Sequence, residues 1–90
     1  MKLNVKDKIL KLLDIPQEVI RDVPKITILG DIIFVENYKN ITLYTKENIR
    51  INTSIGILKI DGKGFKIQEI TPEDILISGS FLNLELIKDK

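Results

Sequence analysis

The spacing of the apolar residues changes at Pro24, and that change limits the fold more than any other feature of the chain. Ahead of it, Val5, Ile9, Leu12 and Leu13 fall at i, i+4, i+7 and i+8, which predicts one stripe of an amphipathic helix. Ile15 precedes Pro16 and is pushed out of the helical region, so that helix ends at Asp14-Ile15. Pro16 suits the first turn of a second, short helix with Val19, Ile20 and Val23 on its apolar side, and Pro24 stops it. Beyond Pro24 the period is two. Ile41 and Leu43 alternate with Thr42 and Tyr44, and Ile49 and Ile51 with Arg50 and Asn52. Phe65 and Ile67 alternate with Lys66 and Gln68, and Leu82, Leu84 and Leu86 with Asn83 and Glu85. Strands that bury one face and wet the other are the antiparallel habit.

The pattern predicts eight short strands: Ile26–Leu29, Ile32–Glu36, Ile41–Thr45, Asn48–Asn52, Gly56–Ile60, Phe65–Ile70, Asp74–Ser78 and Phe81–Ile87. Turn residues separate them at Gly30-Asp31, Asn37-Tyr38-Lys39-Asn40, Thr71-Pro72-Glu73 and Ser78-Gly79-Ser80. Asp61-Gly62 is the strongest hairpin signal, because both residues tolerate positive φ. No connection is long enough for a crossover helix. The expected architecture is mainly β: an N-terminal helical segment over 1–24 and an all-β part over 25–90, one structural domain overall. The strands would form a roll, sandwich or small barrel, with a short β-solenoid as the lesser alternative. Ile32, Ile33, Phe34 and Val35 break the alternation by being apolar on both sides. Two readings follow: a central strand covered on its second face by the N-terminal helices, or an intermolecular strand or patch.

Composition agrees. Of 90 residues, 18 are Ile, 11 Leu and 4 Val, and none is Ala. β-branched side chains lose rotamer freedom in helices and fit pleated sheets. Phe65 and Phe81 are expected in the core. Lys2, Lys6, Lys8 and Lys11 stand against Asp7 alone in residues 1–13, whereas the remainder holds 10 basic and 12 acidic residues. A basic amphipathic helix of this kind offers a peripheral contact to an anionic membrane or a partner; the plainer reading is a solvated lysine face on a helix that caps the sheet. The net charge of +1 supplies no general attraction for polyphosphates, so nucleic acid is not the expected partner. No apolar run approaches a membrane span, and the first residues lack the apolar core of a secretory leader, so the cytoplasm is the expected compartment.

Candidates for chemistry are few. Without Cys or His the chain has no disulfide, no thiolate nucleophile and no imidazole to shuttle a proton or activate Ser54, Ser78 or Ser80. Asp61-Gly62-Lys63-Gly64 lacks the span and the Lys-Ser/Thr ending of a phosphate loop, and the oxygen ligands of a calcium loop. Glu73 and Asp74 are adjacent turn residues, which do not converge across a pocket as paired catalytic carboxylates must. Glu36-Asn37 reads first as a strand end entering a turn and second as a recognition point. No catalytic residue, metal ligand, cofactor or small-molecule substrate is therefore expected.

The run Leu13-Asp14-Ile15-Pro16, then Val23-Pro24-Lys25-Ile26-Thr27-Ile28-Leu29-Gly30 and Val35-Glu36-Asn37, resembles the opening of the YqfC-type sporulation proteins. Ile49 through Gly62 and Ile75-Leu76-Ile77-Ser78-Gly79 resemble the core shared by the wider YabP/YqfC family. Gly64-Phe65 and Phe81-Leu82 depart from the expected apolar pairings. The resemblance spans about residues 10 to 87. It implies a non-enzymatic protein of endospore-forming bacteria, made in the mother cell and cytoplasmic or peripheral at the forespore membrane. It implies a sporulation membrane protein as partner, with homo-oligomerisation also open, and an assembly or interaction role. It transfers no catalytic residue. The matching Gly30, Gly56, Gly62 and Gly79 are read as turn glycines, each at or beside a turn. The contact surfaces expected are the Lys2–Lys11 face and the Ile32–Val35 strand. The rival reading is a small β-barrel that binds single-stranded nucleic acid, or a small enzyme.

Overall fold

The computed structural model describes residues 23–88 together with Val5 and Lys8, so the helical segment expected over 1–24 lies almost wholly outside the described residues. Within 23–88 every regular element is a strand: β1 (Lys25–Leu29), β2 (Ile32–Glu36), β3 (Tyr38–Tyr44), β4 (Asn48–Thr53), β5 (Gly56–Ile70) and β6 (Asp74–Ile87). They form one open sheet in the order β1-β2-β6-β5-β4-β3, and every neighbouring pair is antiparallel.

Six strands replace the eight expected because β5 and β6 run for 15 and 14 residues, straight through two expected turns. The Asp61-Gly62 hairpin is one correction. Asp61 pairs with Asn48 on one side and Asn83 on the other, and the chain reverses only at Thr71-Pro72-Glu73. Asp-Gly tolerates positive φ without demanding it, and Gly62 does not adopt it. Ser78-Gly79-Ser80 is likewise part of β6 rather than a turn. The third correction is the turn expected over Asn37–Asn40: β3 starts at Tyr38, and Asn37 alone, at φ 63°, links it to β2.

What the two misread glycines provide is space. The β5–β6 ladder is irregular between Asp61 and Gly62, between Lys63 and Lys66, and between Ile67 and Glu69. Such bulges bend and twist a strand pair. At the bend a Cβ on Gly62 would strike the Ser80 carbonyl and the Phe65 ring, and one on Gly79 would lie 2.6 Å from Phe65 Cδ1. The Phe65 ring thus sits where both strands lack side chains, and it is buried as expected.

The bend divides the long hairpin in two. β4 pairs with Gly56–Asp61 at the start of β5, whereas β2 pairs with Asp74–Ser78 at the start of β6. Ile49, Ile51, Leu58 and Ile60 come from the first half, and Ile33, Val35, Ile75 and Ile77 from the second. With Phe65 they form a single buried cluster, flanked by Ile26, Tyr38, Ile41, Ile67, Phe81, Leu84 and Leu86. Burying a side chain of this size contributes about 1.5–3 kcal/mol, so this cluster supplies the main force that folds one half over the other.

The one-residue link between β2 and β3 demands the same curvature. β2 is second in the sheet and β3 is at the far edge, so the far edge must return to where β2 ends. It does: Asn37 N donates to the Glu73 carbonyl at 2.8 Å, and the Tyr38 hydroxyl donates to the Thr71 carbonyl at 2.6 Å. At the other end of β3, Tyr44 Oη accepts from Ile67 N at 3.1 Å and lies 3.5 Å from the Phe65 carbonyl.

Candidate interaction surface

An open sheet leaves backbone donors and acceptors unpaired along its edges, and here the bend multiplies those edges. Among the described residues four stretches have a strand on one side only: the outer side of β1, the outer side of β3, Lys66–Ile70 of β5 and Phe81–Ile87 of β6. Three of them are guarded. β1 is five residues long, is preceded by Pro24 and begins with Lys25. β3 contains Lys39, and its ladder is irregular between Tyr38 and Asn40 and between Ile41 and Leu43. The β5 stretch carries Lys66 and is tied to β3 by the Tyr44 hydroxyl.

Phe81–Ile87 of β6 is also broken by a bulge but differs in composition. It contains neither Lys nor Pro. Its one irregularity sets Phe81 opposite Gly62 and Asn83 opposite Asp61, leaving Leu82 as the extra residue of a bulge. Leu82 was expected inward with Leu84 and Leu86; those two are half-buried against the core, whereas Leu82 is 62 % exposed. Ile87, at the far end, is 40 % exposed. Asn83 and Glu85 point outward, and Asn83 Nδ2 donates to Asp61 Oδ2 at 3.4 Å.

The expected contact residues fare unevenly. Lys2, Lys6 and Lys11 lie outside the described residues, and Lys8 is exposed. Ile32, Ile33, Phe34 and Val35 form β2, which pairs with β1 on one side and β6 on the other. Its backbone is therefore committed, which makes β2 an interior strand, as the first of its two readings expected, and leaves it no free backbone for an intermolecular ladder. Ile33 and Val35 are fully buried. On the opposite face, Ile32 pairs with Leu29, and Phe34 with Thr27 and Leu76, giving an apolar row. A shallow depression of about 160 Å³ lies beside it, lined by Phe34, Glu69, Thr71, Asp74 and Leu76.

Gly30, at φ 55°, is the turn glycine expected between β1 and β2, and Gly56 opens β5 just after the Ser54-Ile55 turn. Gly62 and Gly79 are corrected to bend glycines, as described above. Asn37 acts in the link itself: its side chain donates to the Val23 carbonyl at 3.2 Å and ties the start of β1 to the β2–β3 link. Glu73 and Asp74 stand at the β5–β6 turn, where the Thr71 hydroxyl accepts from both of their backbone amides. A wider depression of about 540 Å³ at the bend is lined by Tyr44, Thr45, Lys46, Gly64, Phe65 and Lys66, with no carboxylate among them. Among the described residues no three His, Cys, Asp or Glu are grouped to hold a metal ion, and no helix is long and apolar enough to cross a membrane.

A model of the YabP family matches residues 22–90, which include all six strands. The chain belongs to the YabP family. It is 35 % identical over 80 residues to the Bacillus subtilis (strain 168) protein named "Uncharacterized protein YqfC", covering 88 % of this chain and 86 % of that protein. No solved structure matches it. For this YabP-family chain the family signal and the sheet coincide, so the edges and bend glycines are features of the matched region.

The β6 edge went unread in the sequence. Its signal was present: seven residues of alternating character with no Lys or Pro, the residues that most often blunt an edge. What the sequence did not disclose is that β2 stops pairing with β6 at Ser78.

Proposed function

We propose that this chain is a non-enzymatic assembly module of sporulation, acting in the mother cell and engaging a sporulation membrane protein at the forespore membrane. One observation carries the reading: the edge of β6 from Phe81 to Ile87, which among the described residues has no strand outside it, lacks Lys and Pro, and exposes Leu82 and Ile87. A free edge adds strands through its backbone, while side chains at alternate positions set the choice of partner. Membership of the YabP family and the resemblance of its opening segments to YqfC-type proteins support the sporulation setting.

The test is capture from sporulating cells with the full chain and with its Leu82→Lys/Ile87→Lys variant. Both positions are exposed, so the variant should keep the native circular dichroism spectrum while lysines blunt the edge. The expected result is recovery of a protein with membrane-spanning helices by the parent chain and its loss with the variant. Equal recovery by both would overturn the role given to this edge.

A further inference from the structure

We propose that residues 1–22 fold back over the outer face of β1, β2 and the start of β6. Leu12, Leu13, Val19 and Ile20 meet its apolar rows, and Lys2, Lys6, Lys8 and Lys11 its acidic rim. Ile33 and Val35 face the core, so Ile32, Phe34 and Glu36 stand on the other face of β2. Three rows cross that face: Leu29-Ile32-Ser78, Thr27-Phe34-Leu76 and Lys25-Glu36-Asp74. Leu29, Ile32, Phe34 and Leu76 make the first two largely apolar, and Leu29 is 70 % exposed. The same face of the other half of the sheet carries the charged and amide rows Arg50-Lys59-Glu85 and Asn48-Asp61-Asn83. Water suits those rows, whereas a contiguous apolar patch marks a surface that something else covers.

The chain itself supplies that cover. Residues 1–22 lead into β1 through Val23 and Pro24, and the Asn37 side chain holds the Val23 carbonyl at the Lys25 end of the rows. The helix expected over residues 16–23 is about 12 Å long at 1.5 Å per residue. Lys25 to Leu29 is about 13 Å of strand, so a segment laid back from Val23 spans all three rows. On that helix Val19, Ile20 and Val23 share one side, and Glu18, Arg21 and Asp22 fall on the other. The turn expected at Asp14-Ile15-Pro16 then returns residues 2–11 to the end where the chain enters. That end is acidic: Glu36, Glu69, Glu73 and Asp74 outnumber Lys25 and Lys39 there. Residues 1–13 bring four lysines against Asp7 alone. Val5, far from Pro24 along the apolar stripe, is 73 % exposed, which leaves Leu12, Leu13, Val19 and Ile20 as the covering residues. A tethered segment also meets this face at an effective concentration on the order of millimolar, ahead of any second molecule.

The chain has no cysteine, so a single introduced one reports its own surroundings. Ile32→Cys probes the covered rows, and Leu43→Cys, beside Arg50, the other half of the same face; the parent residues are 39 % and 38 % exposed. In the full, lipid-free chain Ile32→Cys is expected to react with a maleimide at least several-fold more slowly than Leu43→Cys, at every protein concentration. Val19→Asp/Ile20→Asp should raise the Ile32→Cys rate to that of Leu43→Cys and leave Leu43→Cys unchanged, which also shows the sheet intact. Lys6→Glu/Lys8→Glu/Lys11→Glu, which touches no covering residue, should speed Ile32→Cys several-fold, as should high salt. Equal rates at the two cysteines in the parent chain, or an Ile32→Cys rate that neither variant changes, would overturn the cover. Protection that fades on dilution would assign the face to a second copy and overturn it as well. None of these residues lies in Phe81–Ile87, so either result leaves the role of that edge to its own test.

Discussion

Thr45, Thr53 and Thr71 each stand at the end of a strand and use one hydroxyl in the same way. It accepts the amide two residues on, from Glu47, Ile55 and Glu73 respectively. A hydroxyl that bonds the nearby backbone offers the chain a turn in place of further ladder. Thr53 is the buried case, 8 % exposed, and its hydroxyl also donates to the Gly56 carbonyl at 2.7 Å. Thr53→Val keeps the shape and removes both bonds, leaving two backbone groups short of a partner. It is expected to lower stability by about 1–3 kcal/mol in urea unfolding, with Thr53→Ser keeping most of the loss at bay. Thr53 and Thr71 were visible in the sequence but outranked there by the nearby Gly56 and Pro72, which mark a turn without saying what closes it.

At the scale of the elements, the long β5–β6 hairpin works as a hinge held by absent side chains. Gly30 and Gly62 separate two reasons for a glycine. Gly30 has φ +55° and open space around its missing Cβ, so Gly30→Ala should cost about 1–2 kcal/mol from backbone conformation alone. Gly62 lacks a positive φ but is pressed by the Phe65 ring and the Ser80 carbonyl, so Gly62→Ala must displace packed atoms. A cost of about 1–3 kcal/mol is expected from overpacking, with a change in near-ultraviolet signal that Gly30→Ala should not show. The alternation in the sequence assigned Ile49, Ile51 and Phe65 to an inner face, and all three are buried, whereas Leu43, read the same way, is 38 % exposed beside a register shift in β3. It misjudged Leu82 because a bulge reverses the count locally, and a bulge depends on how two strands distant in sequence fit together.

Across the whole molecule, the sheet is curled rather than closed, and two tyrosine hydroxyls span the gap between β3 and the end of β5. Tyr44→Phe would leave the Ile67 amide without its partner at that seam. The expected outcome is faster hydrogen exchange at Ile67 and a loss of about 1 kcal/mol, with Tyr38→Phe affecting the Thr71 end similarly. If Ile67 exchanged no faster in Tyr44→Phe, the seam would be held by core packing alone. The curl also explains why β2, apolar on both sides, lies inside the sheet: only there can it feed the far edge through Asn37 alone.

The amino-acid sequence by itself settled the class of fold, the inward face of most strands and the family. Each of those is written locally, since the transfer free energy of a side chain fixes its face wherever the strand is placed. Strand length, strand neighbours and free edges were decided only in three dimensions. Asp61-Gly62 has the composition of a hairpin, yet ladders on both sides hold it extended. The β6 edge is open because β2 and β1 turn back at Gly30-Asp31, beside Gly79, whose amide donates to the Asp31 carbonyl. Pairing joins backbone groups far apart along the chain, and backbone groups are alike in nearly every residue, so side-chain order carries little record of which of them meet.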